Sequence, residues 1–151
     1  MTKSTPFLEL LQAGKPLLSD GAMGTMLHKR GITIGACFDE LNLTQSEIVS
    51  DIHLEYIRAG ANMIQTNTFG ANRFKLNRSG LQEQLEPINR AGVELAKNAI
   101  RFSSKEVLLA GDVGPLGVRL APFGRVQLDE ARNAFAEQIE ILAQAGVDLI
   151  L

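Results

Sequence analysis

Apolar residues recur along this chain with two different spacings, and each spacing predicts a different kind of element. Short runs of consecutive apolar residues predict four strands, at residues 17–19, 63–66, 107–110 and 148–151. Apolar side chains three or four positions apart predict amphipathic helices before and between these strands. The buried faces predicted for the three longest helices are Ile48, Ile52, Tyr56 and Ala59; Ile88, Gly92, Leu95, Ala99 and Phe102; and Ala131, Phe135, Ile139 and Leu142.

Residues with strong capping preferences mark the ends of these helices. Thr5 before Pro6 predicts the start of a short N-terminal helix, because proline is favoured at the first helical position. Residues 44–47, Thr-Gln-Ser-Glu, have the form of a capping box, in which the hydroxyl and the carboxylate each accept a hydrogen bond from a free backbone N–H. The other predicted boundaries are Pro87 and Asp129 as helix starts and Gly14, Gly60 and Gly146 as helix ends.

The order of these elements predicts an α/β fold with a parallel sheet. Strands that are apolar throughout, rather than alternating, are typical of a parallel sheet covered by helices. Successive predicted strands begin roughly 40 residues apart, so an eight-unit barrel would need about 300 residues, within the usual range for that fold. Periodicity alone leaves two architectures open: the N-terminal half of a (β/α)8 TIM barrel, and a small doubly wound sheet of four or five strands.

The last predicted strand bears on the domain organisation. Residues 59–64 and 145–150 share a pattern in which glycine precedes an apolar strand, which indicates a repeating β/α unit. The second copy of this pattern runs into residue 151 with no further element. We therefore expect residues 1–151 to be one partial domain of repeating β/α units, such as part of a (β/α)8 barrel, truncated at about the fourth strand.

Composition and charge argue against several classes of partner. The net charge is −2 and the basic residues are scattered, so neither nucleic acid nor a membrane surface is expected as a partner. The N-terminal residues lack the apolar core of a signal peptide, and no apolar run is long enough to span a bilayer. A single cysteine cannot form an internal disulfide, which is consistent with a reducing, cytoplasmic location.

Polar residues and glycines concentrate directly after three of the predicted strands, at residues 20–25, 66–72 and 111–117. One such segment alone is consistent with a glycine turn whose polar side chains cap a helix. The carboxyl ends of parallel strands meet at one rim of the sheet, however, and in both candidate architectures the chemistry lies at that rim. Three polar segments in register there indicate a binding site.

The residue types in these segments favour a small zwitterion such as an amino acid. The Asp20 carboxylate suits an ammonium group or a hydroxyl, while Gly21 and Gly24 allow backbone N–H groups to approach a ligand carboxylate. Asn67 and Thr68 offer neutral donors and acceptors. The glycine segments match neither a P-loop nor a dinucleotide fingerprint, so phosphate is not the expected ligand.

These segments together resemble the N-terminal half of the homocysteine S-methyltransferase domain. The resemblance rests on residues 20–25, 40–44, 59–61, 65–69 and 111–115, which occur in the order typical of that family. The domain occurs in cobalamin-dependent methionine synthase, in betaine–homocysteine methyltransferase, and in bacterial proteins that join it to a methylenetetrahydrofolate reductase module. Residues 65–73 resemble the reductase-fused branch somewhat more than the cobalamin-dependent one.

The resemblance implies a (β/α)8 barrel that transfers a methyl group to homocysteine, whose thiol is activated as a zinc-bound thiolate. Zinc lowers the pKa of the thiol, so that a nucleophile exists at neutral pH. By resemblance, Asp20 binds the homocysteine amine, and the backbone at Gly21, Ala22 and Met23 receives its carboxylate. The other substrate-binding residues implied by the resemblance are Asn67, Thr68, Asp112 and Gly114.

The zinc ligands of the family are three cysteines from later strands, which these residues do not include. Cys37, the single cysteine, matches none of those positions, and His28 and His53 are expected to have surface or packing roles. We therefore assign no metal ligand and no catalytic residue within the chain. Cobalamin or folate is compatible with a longer protein, and the methyl donor stays open among folate on cobalamin, betaine and S-methylmethionine.

Three functional interpretations remain. In the first, the chain is the N-terminal part of a homocysteine S-methyltransferase, inactive alone, whose partners are homocysteine and the missing C-terminal half of the barrel. In the second, it is a non-catalytic half-barrel that assembles with another copy or a complementary half, because an open sheet exposes unpaired N–H and C=O groups. In the third, it is a complete small flavodoxin-like binding module, which does not explain three polar rim segments without a cofactor fingerprint.

Overall fold

The computed structural model describes residues 6–14 and 16–151, so the predicted cap Thr5 lies outside the described residues. The strands are β1 (Met63–Gln65), β2 (Leu108–Gly111) and β3 (Leu149–Ile150), and a short 3₁₀ helix (Gln82–Gln84) precedes the sixth α-helix. The α-helices are α1 (Pro6–Gln12), α2 (Met23–Lys29), α3 (Leu41–Thr44), α4 (Ser46–Ala59), α5 (Arg73–Asn77), α6 (Leu85–Ser103) and α7 (Leu128–Ala145). Among these, no helix is long and apolar enough to cross a membrane.

The sheet is parallel, as the sequence predicts, with strand order β1-β2-β3. Met63 lies opposite Leu108, and Ala110 lies opposite Leu149. The described strands leave the sheet open, so the closed barrel stays a prediction.

The first predicted strand, residues 17–19, is reduced to a single parallel bridge between Ser19 and Met63. The Leu18 carbonyl accepts hydrogen bonds from the N–H groups of Asn62 and Met63, and Asp20 N–H donates to the Met63 carbonyl at 2.9 Å. This segment therefore runs alongside β1 in the same direction, and its polar end lies at the same rim. The prediction of a full strand was wrong because the Leu18 N–H donates to the Asn62 side-chain oxygen at 3.2 Å rather than to a backbone carbonyl of β1.

The long helices α4, α6 and α7 pack in sequence against the sheet. The core between them includes Ile57, Ile64, Val93, Leu109 and Leu142, all buried. Each fully buried side chain of this kind contributes about 1.5–3 kcal/mol, so this apolar layer is what fixes the strands in place.

The predicted helical faces are largely correct, with two exceptions, Ala59 at the end of α4 and Phe102 near the end of α6, which are both exposed. Phe102, predicted to be buried, is 74% exposed. The buried stripe of α6 runs through Ala96 and Ala99 towards the half-buried Ser103, because a helix advances 3.6 residues per turn. That drift leaves Phe102 on the side of the helix.

Helix boundaries were predicted less well than helix faces. Thr44 does not cap α4: it ends α3, and its hydroxyl donates to the Glu40 carbonyl at 3.2 Å within its own turn. The N-cap of α4 is Gln45, which makes no side-chain capping bond. Helix α6 begins two residues before Pro87, and α7 begins one residue before Asp129.

Two glycines end helices as predicted. Gly60 follows α4 with φ 109°, and Gly146 follows α7 with φ 84°. Both values lie in the left-handed region, where glycine carries no steric cost.

Candidate functional site

The three polar segments singled out in the sequence lie at the carboxyl ends of the parallel strands. Asp20 follows the bridge residue Ser19, Thr66 and Asn67 follow β1, and Asp112 follows β2. A cleft of about 860 Å³ opens at this rim, a volume typical of small-molecule sites. Of the residues predicted to bind substrate, those that line the cleft are Ala22, Met23, Asn67 and Asp112.

Asp20 is half-buried beside the cleft, and its carboxylate is tied to the next strand. Oδ2 accepts a hydrogen bond from the Gln65 N–H at 2.9 Å, and Oδ1 accepts one from Gln65 Nε2 at 3.1 Å and one from Ser19 Oγ at 3.2 Å. Burial raises the pKa of Asp20, and these hydrogen bonds act in the opposite direction. A carboxylate has about four acceptor positions, so these contacts leave room for one more donor.

The turn after Asp20 rests on an aromatic side chain from α4. Tyr56 Oη donates to the Ala22 carbonyl at 3.2 Å. A Cβ at Gly21 would lie 3.0 Å from Tyr56 Oη. A Cβ at Gly24 would lie 3.0 Å from the Phe38 ring. The two glycines therefore let this turn pack closely against its supports. The sequence predicts Tyr56 only as a residue of the buried helical face.

Asn67 lines the cleft, but its amide group also holds the loop together. Its Nδ2 donates to the Phe38 carbonyl at 2.8 Å and to Asn42 Oδ1 at 3.0 Å. In return, Asn42 Nδ2 donates to the Asn67 carbonyl at 2.8 Å. Both N–H hydrogens of the Asn67 side-chain amide and the Asn67 backbone carbonyl are thus engaged, which leaves the side-chain oxygen Oδ1 as the atom for a ligand.

Thr68 and Gly114 are both buried behind the rim and do not line the cleft. The Thr68 hydroxyl lies 2.6 Å from Thr66 Oγ1 and donates to the Asp112 carbonyl at 2.8 Å, so it connects neighbouring strand ends. Gly114 has no space for a side chain, because a Cβ there would lie 2.6 Å from the Phe69 ring. The structure gives these two residues supporting positions rather than positions open to a ligand.

Asp112 presents its carboxylate to the cleft. Its backbone N–H donates to Thr66 Oγ1 at 3.0 Å, while its carboxylate accepts no hydrogen bond from the described residues. Burial, together with the charges of Asp39 and Asp20, raises the pKa of Asp112 to about 6. The three carboxylates therefore act on one another across the rim.

Asp39 also lines this cleft, and the sequence reasoning missed it. It is buried, lines the cleft, and accepts a hydrogen bond at Oδ1 from the Gly70 N–H at 2.8 Å. Burial raises its pKa, and the bond from Gly70 acts against that shift. The available signal was an acid directly between the apolar Phe38 and the predicted 40–44 segment.

Two cations, Lys75 and Arg78, also line the cleft and were also missed. They lie at and just after the end of α5, a short helix that the sequence pattern does not predict. Asn72 begins this helix, and its side-chain oxygen accepts a hydrogen bond from the Lys75 N–H at 3.0 Å. Asparagine is a favoured N-cap residue, so Asn72 is the sequence signal that indicates the start of α5.

The described residues do not fit a zinc site. No group of three or more His, Cys, Asp and Glu side chains within 6–14 and 16–151 is arranged to hold a metal ion. Cys37 is half-buried at the cleft, and burial raises the pKa of its thiol, which disfavours the thiolate that binds metal. His28 is exposed, and His53 is fully buried inside α4.

Several known proteins have sequences that align with almost all of this chain. A homocysteine S-methyltransferase from Escherichia coli is 33% identical over 165 residues, which cover 99% of this chain and 53% of that protein. A betaine–homocysteine S-methyltransferase 1 from Danio rerio is 31% identical over 147 residues, which cover 95% and 36%. The methionine synthase of Mycobacterium leprae is 28% identical over 156 residues, which cover 97% and 13%. The chain thus spans about half or less of the length of these relatives.

The fold is also similar to a solved structure. The homocysteine methyltransferase MmuM from Escherichia coli, in its metallated form, matches with a TM-score of 0.79 and 27% identity, over 95% of this chain and 55% of that chain. The sequence profile described as Homocysteine S-methyltransferase matches residues 17–151, from the bridge beside β1 to the end of β3. The chain therefore belongs to the homocysteine S-methyltransferase family.

Proposed function

We propose that this chain is the homocysteine-binding part of an enzyme that transfers a methyl group to the sulfur of homocysteine to give methionine. The observation that carries the proposal is the meeting of Asp20, Asn67 and Asp112 at one rim of the parallel sheet, in a member of this family. The carboxylates of Asp20 and Asp112 and the side-chain oxygen of Asn67 match the ammonium group of an amino acid, and backbone N–H groups in the turn after Asp20 match its carboxylate.

Each polar group has a distinct part in this proposal. Asp20 accepts a hydrogen bond from the substrate ammonium, for which its fixed carboxylate retains one acceptor position. The backbone N–H groups at Gly21, Ala22 and Met23 bind the substrate carboxylate. Asn67 offers its side-chain oxygen, and Asp112 adds negative charge near the ammonium.

Thr68 and Gly114 do not contact the substrate in this proposal but support the residues that do. Their contacts with Asp112 and Phe69 hold the two loop segments at the distance that the cleft requires. We keep them in the site as positioning residues, since neither reaches the cleft surface.

We further propose that residues 1–151 supply the first half of a (β/α)8 barrel and that the sulfur-activating groups come from further polypeptide. The extent of the chain supports this, because it covers 53% of its Escherichia coli relative. Zinc would supply a thiolate at neutral pH, but the described residues offer it no fitting ligand set. We therefore assign this chain to substrate binding and orientation alone.

The test is the substitution Asp20→Asn, with homocysteine affinity measured by calorimetry. A neutral amide keeps the shape but loses the charge-assisted bond to the ammonium, so the dissociation constant should rise about tenfold or more. Asp51→Asn, on the exposed face of α4, is the matched control and should leave affinity unchanged. Equal affinity for the wild type and Asp20→Asn would remove Asp20 from the site.

A further inference from the structure

One wall of the cleft carries positive charge that the proposed homocysteine contacts leave unused. Lys75 and Arg78 both line the cleft, and among the described residues neither has a carboxylate within ion-pair distance. Lys75 Nζ lies 4.4 Å from the centre of the Phe69 ring and 3.4 Å from the Phe69 carbonyl. Arg78 donates to the Gly117 carbonyl through Nη2. Both cations are therefore held in place without being neutralised.

Asp112 interacts with both the acidic and the basic side chains of this rim. Burial lowers the pKa of Lys75; Asp39 and Asp112 act against that shift, and Arg78 adds to it. The charges of Asp39 and Asp20 raise the pKa of Asp112, and Lys75 acts against that shift. Asp112 is therefore close enough to interact with both Asp20 and Lys75.

The cleft has room for two ligands. Its volume of about 860 Å³ is near the upper end of the range for small-molecule sites, whereas homocysteine is a small amino acid. A substrate that contacts Ala22 and Met23, next to Asp20, leaves the side of the cleft that Lys75 and Arg78 line open.

We propose that Lys75 and Arg78 form a second carboxylate-binding subsite, which holds the carboxylate of the methyl donor. This inference rests on the proposed function, because it takes homocysteine to occupy the Asp20 end. Lysine offers a mobile point charge and arginine a planar fork, a pair that can bind both oxygens of one carboxylate. A donor anchored there extends along the cleft towards Asp112 and the homocysteine beyond it.

The experiment measures binding of three donors that carry a carboxylate: glycine betaine, S-methylmethionine and 5-methyltetrahydrofolate. Each is titrated into the protein saturated with homocysteine, and choline serves as the analogue of betaine without the carboxylate. At least one donor should bind the wild type, and the double variant Lys75→Met/Arg78→Met should bind it about tenfold or more weakly. Homocysteine affinity and choline binding should be the same in both proteins.

The control is the double variant Lys29→Met/Arg132→Met, which removes two exposed cations on α2 and α7. It should bind the donor as the wild type does, and Lys75→Arg should retain most of the donor affinity. Thermal unfolding checks that each variant is folded. If the double variant does not fold, the single variant Arg78→Gln, at an exposed position, is tested in its place.

The outcomes distinguish this inference from the proposed function. Absence of homocysteine binding by the wild type contradicts the proposed function. Homocysteine binding without binding of any of the three donors overturns the subsite, as does equal donor affinity in the double variant and its control. Weaker homocysteine binding in the double variant also overturns it, because the cations would then serve the substrate carboxylate.

Discussion

At the scale of single residues, the three rim carboxylates have different surroundings and therefore different uses. Asp20 is held by Gln65 and Ser19, and Asp39 by the Gly70 N–H. The Asp112 carboxylate faces the cleft without a hydrogen bond from the described residues, and its pKa is raised to about 6. Asp39 thus joins two loop segments, whereas we propose that Asp112 and the remaining acceptor position of Asp20 interact with a charged ligand.

Sequence reasoning identified the residues that follow strands and missed those that follow loops. Asp20, Asn67 and Asp112 were found because parallel strands bring their carboxyl ends together. Asp39 and Lys75 reach the same cleft from the 30–40 segment and from α5. No periodicity specifies where such irregular segments cross the rim, so their positions depend on tertiary contacts such as the Asp39–Gly70 bond.

The buried His53 leads to a prediction about acid stability. Neither ring nitrogen has a hydrogen-bond partner among the described residues, and burial lowers its pKa from 6.5 to about 4. The unfolded chain therefore binds a proton more readily, so stability is retained above pH 6.5 and lost as the pH falls towards 4. Integrating this shift, the His53 contribution to the free energy of unfolding should fall by about 2 kcal/mol between pH 7.5 and pH 5, while Asp112, whose pKa is raised, acts in the opposite direction.

Urea unfolding of His53→Leu at the two pH values tests this. The variant should lose about 2 kcal/mol less than the wild type over the same interval, because it has no buried imidazole to protonate. His28→Gln, which removes an exposed imidazole, is the matched control. Identical pH dependence in His53→Leu and the wild type would contradict the prediction.

At the scale of elements, the site depends on how the 38–42 segment is joined to the loop after β1. Asn42 and Asn67 exchange amide hydrogen bonds, and Asp39 accepts from the Gly70 N–H. Four bonds between two irregular segments, including the one from Asn67 to the Phe38 carbonyl, fix the shape of the cleft wall. The packing of α4 and α6 beneath this wall supplies the apolar part of that rigidity.

Local sequence signals predicted these elements unevenly. Helices and parallel strands followed from periodicity, because burial of one face decides both. The capping box at residues 44–47 did not form, since the preceding turn of α3 takes the Thr44 hydroxyl for itself. A capping motif alone does not indicate whether the Thr44 side chain bonds within α3 or caps α4.

Gly70→Ala tests the joint between these segments. A Cβ at residue 70 would collide with Asp39 Oδ2, so the carboxylate must move and its bond to the backbone is lost. We expect a loss of about 1–3 kcal/mol in the free energy of unfolding, together with weaker homocysteine binding. The measurements are urea unfolding and calorimetry.

Gly35→Ala is the matched control, because a Cβ at that glycine meets nothing within 4 Å. Its stability should change by less than about 0.5 kcal/mol. If both alanine variants are equally stable and bind homocysteine equally well, Asp39 has no part in shaping the cleft.

At the scale of the whole molecule, the described sheet is open and large apolar side chains lie on the surface. Leu18, beside β1, is 57% exposed, and Leu151, after β3, is 49% exposed. A parallel sheet normally has both faces covered, and an open edge favours further pairing. A barrel and a doubly wound sheet both contain parallel strands that alternate with helices. The hydrophobic periodicity of the sequence is therefore the same for both folds and could not distinguish them.

Barrel closure is tested by adding a complementary half. We expect a C-terminal half from a homologous domain to form a one-to-one complex with this chain. The complex should bind zinc, whereas this chain alone and the complex treated with a chelator should not. Light scattering gives the stoichiometry, and metal analysis gives the zinc content. A chain that stays monomeric beside its complement, or pairs only with a second copy, would contradict this expectation.

The central claim is that the polar groups at the strand ends form a homocysteine site. Titration of homocysteine into the ¹⁵N-labelled protein, followed by amide NMR shifts, tests it most directly. The account predicts shifts at Gly21, Gln65 and Asp112, on the rim, and none at Asn62 and Glu106, which line a cleft near the opposite end of the strands. Shifts confined to Asn62 and Glu106, or no shifts at saturating homocysteine, would contradict it.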